Sequence, residues 1–208
     1  MNTLDFVLKE YGIDKKTKVA ELYRSRNGFP TLFRRLGFRA GAQIGVAKGY
    51  FSKHLSRYLP QAKIYSIDAW KLSPGSKLTQ EQLGGMHKIA RSRLSNYPNN
   101  QIVKALSMDA VKRFDNETLD FVYVDEAHDY RNTYNNIKEW SRKVKPGGII
   151  AGNNYVDPVA DKSSIYYKKI FDVKHAVNDW VRKNGIKPFF LLTKGGNTSW
   201  FYVKKQNA

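Results

Sequence analysis

Between positions 42 and 52 the chain reads Ala-Gln-Ile-Gly-Val-Ala-Lys-Gly-Tyr-Phe-Ser, and no other run constrains the fold as much. The apolar residues about 42–46 predict a short buried strand. Gly45 and Gly49 predict a turn, and Phe51, Leu55, Tyr58 and Leu59 recur at the spacing of a helix that stops at Pro60. A strand that runs through a tight turn into a helix is carried back across one face of a sheet, so its next strand lies parallel to it. The turn also bears on chemistry, because glycine lets a backbone come close to a ligand. The next apolar strand, residues 63–67, ends in Asp68, 23 positions after Gly45, where a carboxylate can accept hydrogen bonds from a ribose diol.

The alternation continues down the chain. Residues 71–85, rich in Ser, Pro, Gly and Gln, read as a loop, followed by a helix over 86–94, a strand over 101–105 and a short helix over 110–114. Leu119–Val124 is almost continuously apolar, as a central parallel strand covered on both faces must be. Tyr130, Tyr134, Ile137, Trp140 and Val144 fall at helical spacing. Pro146-Gly147-Gly148 ends that helix, and residues 149–151 give a fifth strand. Val173, Ala176, Val177, Trp180 and Val181 mark a further helix, closed by Asn184-Gly185. Two last strands, 189–193 and Ser199–Val203, are joined by a glycine-bearing hairpin loop. The expectation is one domain over 1–208: an α/β core over 40–203 with a seven-stranded doubly wound sheet, mostly parallel, carrying an antiparallel C-terminal hairpin strand. An N-terminal helical cap over 1–39 precedes it, with Leu4, Val7, Leu8 and Tyr11 on one stripe and Leu32, Phe33 and Leu36 on a second.

A length of 208 residues with 41% hydrophobic side chains suits a single globular domain. No apolar run approaches the about 18 residues of a membrane-spanning helix. The start, Met1-Asn-Thr-Leu-Asp-Phe, lacks the form of a signal peptide, and the absence of cysteine excludes disulfides and thiolate metal sites, so a cytoplasmic location is expected. The net charge is +18, with nine Lys or Arg and no Asp or Glu between Leu22 and Ile67. Such a field attracts polyanions, nucleic acid among them, but no compact nucleic-acid-binding motif accompanies it.

Taken in order, Ile44-Gly-Val-Ala-Lys-Gly49, the strand ending in Asp68, Ser107-Met-Asp-Ala110, Phe121-Val-Tyr-Val-Asp-Glu-Ala-His-Asp-Tyr130, Lys145-Pro-Gly-Gly-Ile-Ile150 and the closing hairpin resemble a class I S-adenosylmethionine-dependent methyltransferase. More narrowly, the chain is similar to the small O-methyltransferase-like group with an Asp-Gly-x-His-x-Tyr motif after the fourth core strand. The resemblance covers roughly 40–203 and implies a Rossmann-like sheet. It implies that Gly45, Val46, Ala47 and Gly49, with Gln43 before them and Tyr50, Phe51 and Ser52 after, hold the methionine part of the cofactor S-adenosylmethionine. It places Asp68, with Ala69 and Trp70, at the ribose, and Ser107, Met108 and Asp109 at the adenine. Asp125, Glu126 and His128 stand beside the sulfonium methyl.

The pattern departs from the group in three places. Gln43 stands where an acid is usual, Glu126 replaces the motif glycine, and Asn153-Asn154 replaces the aspartate that metal-dependent relatives carry after the fifth strand. If a divalent metal is used, its ligands would be Asp125, Asn153 and Asn154, a weak set for a hard cation. His128 is the candidate general base, with Asp125 orienting it or holding substrate; the alternatives are a backbone-bonded histidine and a plain helix cap. Trp70 either packs on the cofactor or covers the sheet edge, and Tyr155 either lines the acceptor pocket or caps the core. The segments 1–39, 71–85 and 155–170 are expected to shape that pocket. The implied function is O-methylation of a small-molecule or sugar-type acceptor. The alternatives are a polyanionic acceptor, a non-catalytic or nucleic-acid-binding protein on the same fold, and a dinucleotide oxidoreductase, which the Gly-x-x-x-Gly turn fits poorly.

Overall fold

The computed structural model describes residues 1–72, 78–126, 128–157 and 172–205. Among the described residues eight strands form one sheet: β1 (Val19–Leu22), β2 (Ala40–Ile44), β3 (Lys63–Asp68), β4 (Asn100–Lys104), β5 (Leu119–Val124), β6 (Val144–Gly152), β7 (Phe189–Leu192) and β8 (Ser199–Val203). Their order across the sheet is β1-β7-β8-β6-β5-β2-β3-β4. Only β8 runs against its neighbours, β6 and β7; every other pairing is parallel. The helices are α1 (Thr3–Tyr11), α2 (Phe29–Arg35), α3 (Tyr50–Tyr58), α4 (Gln80–Leu94), α5 (Ser107–Ala110), α6 (Tyr130–Ser141) and α7 (Val173–Lys183).

The sheet alternates its side chains between two helical layers, as pleating requires. Phe121 and Tyr123 of β5 face a core with Val7 and Leu8 of α1, Phe29, Leu32 and Phe33 of α2, and Phe51 and Leu55 of α3. Val122 and Val124 face the other core, with Ile137 and Trp140 of α6 and Val173 and Val177 of α7. Trp140 and Phe121 are fully buried, and each such side chain contributes about 1.5–3 kcal/mol of transfer free energy.

Three expectations are corrected. The sheet has eight strands, not seven, because β1 lies inside the segment expected to be wholly helical; it pairs in parallel with β7, Val19 against Phe189 through Leu22 against Leu192. α4 starts at Gln80, six residues before the expected helix. Thr79 and Gln82 form a reciprocal capping box, the Thr79 hydroxyl accepting from Gln82 N at 3.1 Å and the Gln82 carbonyl from Thr79 N at 2.8 Å. The presumed loop is correspondingly shorter, and residues 73–77 within it, like most of 155–170, lie outside the described residues. Finally, β6 runs straight through Pro146-Gly147-Gly148. Leu119 faces Val144 and Phe121 faces Ile149, so four residues of β6 oppose Asp120 alone. Within that irregularity the N–H that Pro146 lacks costs no ladder bond.

The topology fixes where a ligand can go. From β2 the chain winds outward through β3 to β4, then returns to β5 on the other side of β2. The β2–β5 junction is the switch point of the sheet, and open α/β sheets bind ligands above the carboxyl ends of the strands there.

Candidate active site

The glycine bend at the tip of β2 sits directly against the tip of β5. Gly45 has φ +87°, and a Cβ there would lie 2.1 Å from the Asp125 carbonyl oxygen, so the close approach admits only glycine. Gly49, φ +76°, opens α3. Gln43, 2% exposed, locks the bend from inside: its amide donates to Gly45 O at 2.7 Å and its carbonyl accepts the Ser52 hydroxyl at 2.8 Å. Both of these polar partners are internal, so the structure leaves Gln43 in a structural role within the loop.

Asp68 stitches the same bend from the β3 side. One carboxylate oxygen accepts from Val46 N at 2.8 Å and Ala47 N at 2.9 Å, the other from Trp70 N at 2.8 Å. A carboxylate has about four acceptor positions, so three N–H groups leave room for a hydroxyl. Trp70 donates its indole N–H to Ala47 O at 2.9 Å and is 2% exposed, packed with Val46 and Ala90 and against the His87 ring. Phe51 is buried against Tyr123, whereas Tyr50 projects outward with Arg93 over its ring. Ala69 is half-buried beside Asp68, and half-buried Glu126 flanks Gly45.

Beyond β4, Ser107 is turned inward: its hydroxyl donates to Asn136 and accepts from the Trp140 indole N–H at 2.8 Å. Met108 packs beneath it on the α6–α7 side. The Asp109 side chain is 58% exposed and pairs with Lys112 at 3.3 Å. The structure therefore leaves this segment less directly aimed at the switch point than the bend and Asp68.

The tips of β5 and β6 bring together a group the sequence pattern presents only in part. Asp125 is mostly buried and pairs with Arg26 Nη1 at 2.9 Å. Burial drives the Asp125 pKa up, against the opposing pull of the His128 imidazole, the Arg26 guanidinium and the Asn153 amide. Burial also works against the charge on Arg26, but the Tyr123 hydroxyl and the Asp125 carboxylate more than offset it and its pKa is raised. The guanidinium lies 5.3 Å from the centre of the Phe51 ring, at cation–π distance. Arg26 was visible in the sequence only as one of several arginines in the acid-free stretch 22–67; nothing in local spacing tied it to Asp125, 99 residues away.

Asn154 Nδ2 stands 3.1 Å from Nδ1 and 3.2 Å from Nε2 of His128, so the amide can donate to whichever nitrogen carries the lone pair. Asn153 Oδ1 accepts the Ser199 hydroxyl at 3.0 Å. The buried Asn154 Oδ1 accepts no hydrogen bond from the described residues. Tyr155 donates to Asn178 at 2.7 Å and packs on Phe189. Ala47, Trp70, His128 and Asn154, at or just beyond the tips of β2, β3, β5 and β6, account for four of the five non-glycine residues with positive φ among the described residues. Each such residue stores on the order of 1–3 kcal/mol, and strain of this kind gathers where a ligand is held.

A divalent metal does not fit this group. Among the described residues no cluster of three or more carboxylate or imidazole side chains could hold one. The Asp125 carboxylate is already matched by a guanidinium, Asn153 Oδ1 is taken by Ser199, and Asn154 turns its amide nitrogen to His128. An adenosyl cofactor does fit: the bend offers a close backbone approach, Asp68 keeps acceptor capacity, and the orphaned Asn154 Oδ1 awaits a donor.

No helix among the described residues is long and apolar enough to cross a membrane. No curated protein matches the chain. The fold is shared with a provisionally named caffeoyl-CoA O-methyltransferase from Staphylococcus aureus, at 14% identity over 96% of this chain and 91% of that one, TM-score 0.66. It is shared too with an O-methyltransferase from Bacillus cereus in complex with SAH, at 18% identity over 97% and 90%, TM-score 0.63. A third is the O-methyltransferase TomG from Streptomyces achromogenes, in complex with SAM, at 16% identity over 97% and 89%, TM-score 0.61. The family model described as a methyltransferase domain matches residues 42–155, from the β2 bend through the tip of β6, and the chain belongs to that family.

Proposed function

We propose that the protein transfers a methyl group from S-adenosylmethionine to an oxygen of a small-molecule acceptor. The observation that carries the reading is the meeting of the Gly45 bend, Asp68 and Asp125 at the β2–β5 switch point of the sheet. The SAH and SAM complexes of the O-methyltransferases that share the fold support the same donor. The sulfonium donor supplies an electrophilic methyl. What remains for this chain is to align the acceptor oxygen and take its proton. In this reading Gly45, Val46, Ala47 and Gly49 cradle the methionine part, Asp68 takes a ribose hydroxyl, and Asn154 Oδ1 receives a donor of the bound molecule. His128 accepts the proton of the acceptor hydroxyl once the acceptor displaces the Asn154 amide from its ring. Calorimetric titration with S-adenosylhomocysteine tests the reading. Saturable one-to-one binding that Asp68→Ala weakens at least tenfold is expected, and no binding to the wild-type chain refutes it.

A polyanionic acceptor, such as nucleic acid, is favoured by one surface. Lys53 on α3 and Lys88 and Arg93 on α4 line a single cleft with Ile89 and Ser92, and the exposed Tyr50 stands beside Arg93. RNA binding whose affinity falls steeply with salt and depends on Lys88 and Arg93 supports this reading; salt-independent or absent binding removes it.

A further inference from the structure

The charge arrangement at the tip of β5 has a consequence for how the acceptor is held. Asp125 is the anionic anchor of the site, and its partner is Arg26, delivered by the segment between β1 and α2. A guanidinium is permanently charged and carries five N–H donors in a planar fork. One contact goes to Asp125 at 2.9 Å. The side chain is still 38% exposed, so part of that fork is open to an incoming group. The Phe51 ring below it and the buried Tyr123 hold the cation in one place. Of the amide oxygens at the site, Asn153 Oδ1 is taken by Ser199 and Asn154 Oδ1 alone is open, and they do not complete a metal shell.

We propose that Arg26 takes the part a divalent cation would play: it grips the ionised oxygen of the acceptor, a carboxylate or an acidic hydroxyl, and methyl transfer here needs no metal. This rests on the methyltransferase reading above. A hydroxyl acceptor first gives its proton to His128, whereas a carboxylate arrives already ionised; in either case a lone pair of that oxygen forms the new O–CH3 bond, and the breaking S–CH3 bond leaves its electron pair on sulfur, neutralising the sulfonium. Throughout, Arg26 offsets the negative charge on the acceptor oxygen, as a fixed cation does at an anionic centre.

The test uses the full chain saturated with S-adenosylhomocysteine, titrated with Mn2+ by electron paramagnetic resonance and with benzoate by calorimetry. Expected are no saturable Mn2+ binding and a benzoate affinity that falls at least about tenfold in Arg26→Gln and is partly restored in Arg26→Lys, with product affinity unchanged in both. Stoichiometric Mn2+ binding that Asp125→Asn abolishes overturns the proposal. So does benzoate binding that is absent from the wild type or equal in Arg26→Gln. Should Arg26→Gln fail to fold, Arg26→Lys decides alone, since a compact ammonium keeps the charge and loses the fork; unchanged benzoate affinity there refutes a bidentate grip. Failure of S-adenosylhomocysteine to bind the wild-type chain is a separate result, and it strikes the methyltransferase reading itself.

Discussion

Replacing Gly45 by alanine attacks the contact on which the site is built. At φ +87° an alanine is strained by about 1–2 kcal/mol. Its methyl would also stand 2.1 Å from Asp125 O and 2.7 Å from Asp125 C, and both are backbone atoms that no rotamer can move aside. Forcing an extra carbon into such a place adds about 1–3 kcal/mol. A total near 3 kcal/mol lowers the Tm of a chain this size by about 6–12 °C. Gly49→Ala is the internal control. It shares the positive φ, +76°, but its nearest neighbour is Ala90 Cα at 3.3 Å, so the strain of about 1–2 kcal/mol stands almost alone. Differential scanning fluorimetry and urea denaturation of the two variants measure the difference, and calorimetry with S-adenosylhomocysteine reads its effect on the site. Gly45→Ala should be the less stable by about 1–2 kcal/mol and should lose product affinity, because the bend can relieve the clash only by moving off Asp125. Equal losses of stability in the two variants would refute the argument from close approach.

Gln43→Glu introduces the acid that the resemblance leads one to expect there, yet it should destabilise the protein by about 2 kcal/mol or more in urea denaturation, because the donor to Gly45 O becomes an acceptor. Tyr202→Phe removes the partner of the Trp180 indole N–H at 2.8 Å and of the Ser141 hydroxyl at 2.9 Å, and should cost about 1–3 kcal/mol by the same assay. Burial raises the Tyr202 pKa above 10.0, so its contribution to stability is complete below pH 10.0 and is lost as the pH climbs toward the folded value; the alkaline slope of wild-type stability should be shallower in Tyr202→Phe. Phe29→Ala empties a site ringed by Phe33, Tyr123 and Phe201 at 5.5–5.7 Å, for a loss of about 3–5 kcal/mol, and should also weaken benzoate binding because Phe29 immediately follows the turn that carries Arg26.

The parts of this fold that were legible in the sequence are those whose signal is local. Leu119–Val124 and Ser199–Val203 end where their apolar runs end, and the α6 and α7 stripes run from their first periodic residue to within a turn of their last. β1 is different. Val19-Ala-Glu-Leu22 is too short to establish a period, and it becomes a strand because Phe189–Leu192 presents a free edge to it. The reading of Pro146-Gly147-Gly148 as a break fails for a related reason. Gly148 is required by the Asp120 carbonyl, 2.5 Å from where its Cβ would lie, a contact that exists only once β5 and β6 are paired. At the site, the bend and Asp68 announced themselves through their order in the chain. The inward turn of Gln43 and Ser107 did not, since each answers a buried partner, Gly45 O in one case and the Trp140 indole in the other.

The N-terminal segment belongs to the site as much as to the fold. β1 completes the edge of the sheet beside β7, and α2 buries Phe29, Leu32 and Phe33 against Phe121, Tyr123 and Phe201. Between these two anchors lies the short 3-10 turn Arg26–Gly28. A turn tethered at both ends by buried elements has little freedom, so the Arg26 guanidinium can stand over Phe51 and reach Asp125 at small further entropic cost. The aromatic stack that stabilises the outer layer is thus also what aims the cation. Tyr123 links the two roles: its ring packs on Phe29 and on Phe51, the ring over which the Arg26 guanidinium stands. Substitutions in this layer should therefore report on stability and acceptor binding together, whereas substitutions around Gln43 and Gly45 report on stability and cofactor binding. In the proposed reading the β2–β5 switch point lies between two separately supported halves, one for each partner in the transfer.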